Sequence, residues 1–291
     1  MNPTKAEYLP IGSLRPFRGH PFQVKDDDEM EQLVWSILSQ GVLTPLVVRP
    51  VENGEYEVIS GHRRLRACQK AGIETVPALI YSLDRDAAAI ALVDSNLHRE
   101  RILPSEKAFA YRLKMEALSH QGTSSQLGTK LRSDELIAQQ SGESRNQVQR
   151  YIRLTYLIPE ILKMVDEGKM AFTPAVELSY LTASEQQDLL ETMESEDCTP
   201  SLSQAQQLRR LSQSGEVTMD AIFSLLTVPK ANQREKVSFY VDELRSFFPR
   251  HYTAAAVPSR RCSGRRGILL PWGDDGRSGF LVPPFRNFQI A

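Results

Sequence analysis

The chain has 291 residues, of which 41% are hydrophobic and 24% charged, and its 35 Lys and Arg against 36 Asp and Glu leave a net charge of −1. That length and balance predict a soluble, globular protein of more than one domain and exclude a uniformly basic coat for nucleic acid. Cys68, Cys198 and Cys262 are far apart with no metal-ligand spacing, and no run is apolar enough to span a membrane or act as a signal peptide, so the expected place is the cytoplasm, without zinc or membrane.

Residues 1–22 read as an N-terminal arm: a short strand around Tyr8–Ile11, then an extended basic stretch with Arg15 and Arg18. Asp27 or Asp28 caps a helix with Met30, Leu33, Val34, Ile37 and Leu38 at helical spacing, and Gly41 ends it. Val42–Val48 is a predicted strand with Pro45 near its start, and Asn53-Gly54 is a two-residue hairpin signal. A second strand through Val58 and Ile59 turns at Ser60-Gly61 into a helix that stops near Gly72. Thr75–Tyr81 is a further strand, placed at a sheet edge by Pro77. Asp84 or Asp86 opens a helix that breaks near Ser95-Asn96, and Ser105 caps another running to His120. Residues 23–120 thus form one α+β domain.

Residues 121–132 are Ser- and Gly-rich, a linker, and strand signals cease after it. Residues 121–228 read as an all-helical domain. Ser133 and Ser144 are caps, Pro159 sits early in a helix that stops at Gly168, and Thr173-Pro174 is a cap with a first-turn proline. Amphipathic segments follow at 184–193, 203–211 and 219–226. The remainder, 229–291, is a linker, one helix at Lys236–Phe248 and a tail without periodicity. From Pro249 onward there are seven Arg, two Asp and neither Lys nor Glu, so residues 1–248 carry a net of −6. Nucleic-acid contact in the body must then come from local patches.

Two stretches carry chemistry. At Ser60-Gly61 a strand turns into a helix whose first turns hold Arg63, Arg64 and Arg66. Free N–H groups, the helix dipole and forked guanidinium donors suit a phosphate there, though three arginines on a solvated face are the plain alternative. Residues 134–154 have helix-turn-helix spacing. Ala138 is small where the helices cross, Gly142 supplies the turn, and Val148, Tyr151 and Ile152 form the buried stripe. The other face shows Ser144, Arg145, Asn146, Gln147, Gln149, Arg150 and Arg153. Arg145, Asn146 and Gln149 are the expected base readers, and Arg150 and Arg153 the expected phosphate contacts. An ordinary helical hairpin with a polar outer face is the alternative.

Four blocks in order make the chain resemble the ParB/RepB-type partition proteins over about residues 5–228. They are Gly41–Arg49, Ser60–Ala67, Asn96–Glu100 leading to Pro104-Ser105-Glu106, and the helix-turn-helix. The resemblance implies a ParB/sulfiredoxin-like α+β domain followed by an all-α helix-turn-helix domain. It implies a DNA-binding protein that recognises a centromere-like palindrome in double-stranded DNA as a homodimer, works with a ParA-type ATPase, and is associated with the nucleoid or with plasmid DNA. It further implies chromosome, plasmid or mobile-element segregation gated by CTP with Mg²⁺. Pro45, Val48 and Arg49 would then lie by the nucleotide. Ser60, Gly61, His62, Arg63, Arg64, Arg66, Asn96 and Arg99 would hold phosphates, with Asn96 also on the metal side.

The chain departs from the family pattern at His62 and Ser95, where relatives carry Glu. Ser95 replaces a carboxylate suited to Mg²⁺, so nucleotide binding with at most weak CTPase activity is expected. Asp94 is on another helix face. A thiol enzyme of the sulfiredoxin kind is disfavoured, because Gly61 precedes His62 where that class has Cys, and Cys68 reads as buried. His20, His62, His98, His120 and His251 show no recurring partner. A transcriptional regulator on the same scaffold is the alternative function.

Overall fold

The computed structural model describes residues 5–97, 99, 101–121 and 132–227. Residues 122–131 of the expected linker 121–132, the linker at 228–232, the helix Lys236–Phe248, the tail, and His98 and Glu100 lie outside the described residues.

Five strands form one mixed sheet in the order β1-β5-β3-β4-β2. They are β1 (Lys5–Pro10), β2 (Leu14–Pro16), β3 (Leu46–Pro50), β4 (Tyr56–Ser60) and β5 (Thr75–Ile80). The segment expected as an arm is instead both borders of the sheet: β1 pairs antiparallel with β5, and β2 parallel with β4. Its apolar residues explain this, since Leu9, Leu14, Phe17 and Phe22 are buried and would otherwise stay in water. Pro77 is therefore not at an edge. It pairs with Tyr8 in β1, and β3 pairs with β5 only from Ala78 onward, so the ladder on that side starts after the missing N–H. The β3–β4 connection spans Val51–Glu55 and includes a 3₁₀ turn at Glu52–Gly54, longer than the expected two-residue hairpin.

Alternation along the strands sends side chains to two layers. Val58 packs with Met30 and Ile37 of α1 (Asp28–Gln40) and Leu65 of α2 (His62–Lys70), whereas Ile59 packs with Ala88, Leu92 and Val93 of α3 (Arg85–Asn96). Asp27 caps α1 by accepting from Met30 N–H, and Asp84 caps α3 by accepting from Ala87 N–H. Leu38, expected on the buried stripe, is exposed.

The helix α4 (Pro104–Gln121) contributes to three cores. Ala110 and Ala117 face the α3 layer, Tyr111 meets Ile137, Ala138 and Val148, and Ala108 joins the rear core. Ser105 is inside this helix rather than its cap; its backbone N–H and its hydroxyl both bond Asp166. Then come α5 (Ser133–Ser141), α6 (Arg145–Leu154), α7 (Pro159–Asp166), α8 (Phe172–Leu178), α9 (Ala183–Ser195), α10 (Leu202–Ser214) and α11 (Met219–Leu226). Ser133 is the first residue of α5 rather than its cap, and α8 starts before Thr173, with Ala171 as cap. No described helix is long and apolar enough to cross a membrane.

Candidate nucleotide and DNA sites

Gly61 bends β4 into α2 at φ 105°, a left-handed conformation that L side chains rarely adopt. A Cβ there would stand 3.1 Å from Arg64 Nη2 and 3.2 Å from Leu46 Cγ. The corner thus keeps backbone N–H groups bare at the start of α2, the arrangement that suits an anion.

The arginines around it are held unequally. Arg63 reaches Asp27 at 3.3 Å and Glu29 at 3.2 Å, and Arg66 forks onto Asp26 at 2.7 and 3.2 Å. These are solvent-facing pairs of the sort that contribute about 0–1 kcal/mol, so a polyanion can displace them. Arg64 is turned inward and donates to the carbonyls of Thr44 and Pro45, bracing the loop before β3 rather than facing outward. Arg49 is paired with Glu57 at 2.6 Å in a largely buried contact, and Glu57 also accepts from Arg18 N–H at 2.8 Å. Its guanidinium is committed to the fold. Val48 is fully buried in the sheet. Arg99 makes no ion pair with a described residue and lies over the Phe22 ring, 5.6 Å from its centroid.

His62 has a partner that the sequence did not disclose. His20 stacks on it with ring centroids 3.7 Å apart, and His62 Nε2 accepts from Phe17 N–H at 3.5 Å. Burial pushes His62 down to about 3, helped by His20 and Arg99. Burial likewise takes His20 to about 4, with a further push from Arg99 against a backbone hydrogen bond at Phe22. Both rings are neutral at physiological pH, so His62 joins the start of α2 to the chain around Phe17 and is not a cationic phosphate donor.

The residues expected on the metal side are engaged elsewhere. Asn96 is buried and donates to Leu92 O at 2.7 Å and to Ser95 Oγ at 3.1 Å, while Ser95 Oγ donates to the same carbonyl. Asp94 pairs with Lys114. Glu106 uses one oxygen on Gln23 N–H and the other on Leu103 N–H. This donor set offers Mg²⁺ no uncommitted carboxylate and does not fit the ion.

In the rear half, α5 and α6 form the expected helix-turn-helix. Gly142 turns at φ 70°, Ser144 caps α6 by accepting from Gln147 N–H, and Ile137, Ala138 and Val148 are buried between the helices. Arg145, Asn146 and Gln149 lie exposed on the first turns of α6, with Gln147 half-buried beside them. Arg150 and Arg153 differ from expectation. Arg150 donates to Thr173 Oγ1 at 2.8 Å and to Gln147 Oε1 at 3.3 Å, over the Phe172 ring. Arg153 bonds the hydroxyl and carbonyl of Ser179 at 3.1 and 2.8 Å, and is stacked between Tyr156 and Tyr180. Both brace α6 against α8, because aromatic faces and internal acceptors satisfy their guanidinium groups.

Asp134, which the sequence analysis did not single out, joins this face. Only 3% exposed, it accepts at Oδ2 from Arg145 Nε at 2.7 Å and from Gln149 Nε2 at 3.0 Å. Burial pushes its carboxyl up, but those two hydrogen bonds and the charges of Arg132 and Arg145 together outweigh it, and it is held below its ordinary value. The available signal was spacing: Asp134 and Arg145 start the two helices eleven residues apart.

The chain matches the family profiles of the ParB N-terminal domain over residues 2–97 and of the ParB HTH domain over residues 103–210. The first match takes in the segment read as a separate arm, and the second begins ahead of α4. A nucleoid occlusion protein of Geobacillus thermodenitrificans is 35% identical over 53% of this chain and 50% of its own length. The chromosome-partitioning protein Spo0J of Thermus thermophilus is 36% identical over 56% of this chain and 55% of its own. The chain therefore spans about half the length of the curated relatives it matches. Among solved structures, the C-terminally truncated chromosome-partitioning protein ParB from Caulobacter crescentus complexed to the centromeric parS site aligns with 72% of this chain and 99% of that one, at 25% identity and TM-score 0.41.

Proposed function

The chain belongs to the ParB-type partition protein family, and from that premise we propose that it is a sequence-specific DNA-binding protein of partition type. It binds a centromere-like palindromic site in double-stranded DNA as a homodimer. The observation that carries this reading is the second helix of the helix-turn-helix: Arg145, Asn146 and Gln149 stand exposed on its leading turns. An N-terminal half-helix of that kind enters the major groove, where Arg suits guanine and Asn or Gln suits adenine. Arg150 and Arg153 act in this proposal as braces that fix the helix on α8.

The front site binds a nucleoside triphosphate, CTP in this proposal, at the Ser60-Gly61 corner. Backbone N–H groups of α2, Arg63 and Arg99 meet the phosphates, with Arg66 freed from Asp26. A bound triphosphate supplies a gate on DNA release. Hydrolysis is weak or absent, since neither Ser95 nor Asp94 presents a carboxylate there.

Selection by the full chain from a random double-stranded pool tests the DNA reading. An enriched inverted repeat supports it, and failure to enrich any sequence from folded protein overturns it. Calorimetric titration of CTP against ATP, each with and without Mg²⁺, tests the front site separately. Absence of heat with every nucleotide would remove the gate and leave the DNA reading standing.

A further inference from the structure

We infer that Asp134 determines specificity: one buried carboxylate oxygen fixes Arg145 and Gln149 as a single reading unit. The inference rests on the helix-turn-helix reading above and extends it to a residue outside the exposed face. Arg145 and Gln149 are one turn apart on α6, and both donate to the same atom, Asp134 Oδ2. Its other oxygen accepts from Glu135 N–H at 3.1 Å and has Arg132 Nε at 3.3 Å. The carboxylate therefore accepts three hydrogen bonds, with the Arg132 charge beside it as an ion pair.

The atom that each reader uses matters. Arg145 gives its Nε to Asp134, and the nearest other carboxylate, Glu135 Oε1, stands 3.7 Å from Nη1, beyond hydrogen-bond reach. Anchoring Nε restrains the guanidinium plane and leaves the paired Nη groups with no hydrogen bond to a described residue, Nη1 being held only by the loose ion pair with Glu135. Two parallel N–H donors are what guanine O6 and N7 require. Gln149 gives one amide hydrogen, so its second hydrogen and its oxygen stay available for the N7 and N6 positions of adenine. Both side chains surrender rotamer freedom before DNA arrives, the usual route by which preorganisation sharpens binding.

A carboxylate close to a phosphate backbone opposes binding unless it is covered. Asp134 is covered, by the cations it holds. Three roles then separate by sign. A carboxylate needed only for folding would lower binding to all duplexes when removed, and one acting only by its charge would raise binding to all when removed. A positioning group lowers binding to the cognate duplex alone.

The test uses the full chain with two probes, the duplex enriched by selection and a scrambled duplex of the same composition. Asp134→Ala should reduce the affinity ratio between them by roughly 5- to 100-fold, with binding to the scrambled duplex unchanged or tighter. In an Arg145→Ala, Gln149→Ala background the same change should cause no further loss of the ratio. Equal weakening on both probes, or an undiminished effect in that background, overturns the inference. Should Asp134→Ala lack a cooperative melt, Asp134→Asn, which keeps the shape, is read by the same ratio, and a ratio equal to that of the unmodified chain overturns it. Failure of Arg145→Ala itself to lower the ratio would instead sink the helix-turn-helix reading.

Discussion

Replacing Gly61 by Ala isolates what the corner between β4 and α2 demands, because Gly142 offers an internal control. Both glycines have positive φ, 105° and 70°. A left-handed residue with a side chain costs roughly 1–2 kcal/mol, and Ala lowers unfolded-chain entropy by roughly 0.4–1 kcal/mol. Gly142→Ala, with nothing within 4 Å of the added carbon, should therefore cost about 1 kcal/mol. At Gly61 the added carbon meets Leu46 Cγ at 3.2 Å, and Leu46 is fully buried in the sheet and cannot withdraw. Overpacking of this kind adds roughly 1–3 kcal/mol, so Gly61→Ala should cost about 2–4 kcal/mol in all. Urea denaturation of the full chain followed by circular dichroism gives both numbers. Equal costs at the two positions would refute the claim that Leu46 and Arg64 close the corner, and with it the reason the α2 N–H groups stay bare.

Three further outcomes follow from the described contacts. Arg145→Ala should weaken the selected duplex by about 1–3 kcal/mol in an anisotropy titration while sparing random DNA; equal loss on both would show that the reading face is misassigned. His20 and His62 lie below the ordinary 6.5, at about 4 and about 3, so on acidification the unfolded chain takes up their protons first. Stability is accordingly full above pH 6.5 and falls as pH drops from there toward those values; His62→Asn should flatten that slope in urea midpoints, and an unchanged slope would contradict it. Lys114, buried to 1% exposure, bonds Asp94 and Gln140. Because Asp94 retains water, Lys114→Met should cost about 1–2 kcal/mol, less than the 3–5 typical of breaking a fully buried pair, and a thermal melt unaffected by the change would deny the bridge any role.

The elements that the sequence disclosed are those fixed by local chemistry. Asp27, Asp84 and Ser144 cap helices where an oxygen precedes an apolar period, and Gly41, Gly61 and Gly142 turn where the chain needs a positive φ. What it withheld depends on distant partners. Arg66 looked free until Asp26, forty residues earlier, came beside it, and Arg63 likewise met Glu29. A three-residue strand, Leu14–Pro16, has too little alternation to announce itself. Asp134 looked like an ordinary acidic residue at a helix start, and only the approach of α6 gave it a second purpose. Arg153 had the right type for a phosphate, yet two tyrosines from beyond its own helix enclosed it.

The helix α4 limits how the protein can be taken apart. One rod supplies walls to the strand layer, to the helix-turn-helix and to the rear bundle, so the halves are not interchangeable cassettes. A chimera that joins this front to another relative's rear must match both sides of that rod at once, which makes it a costly place to draw a recombination boundary.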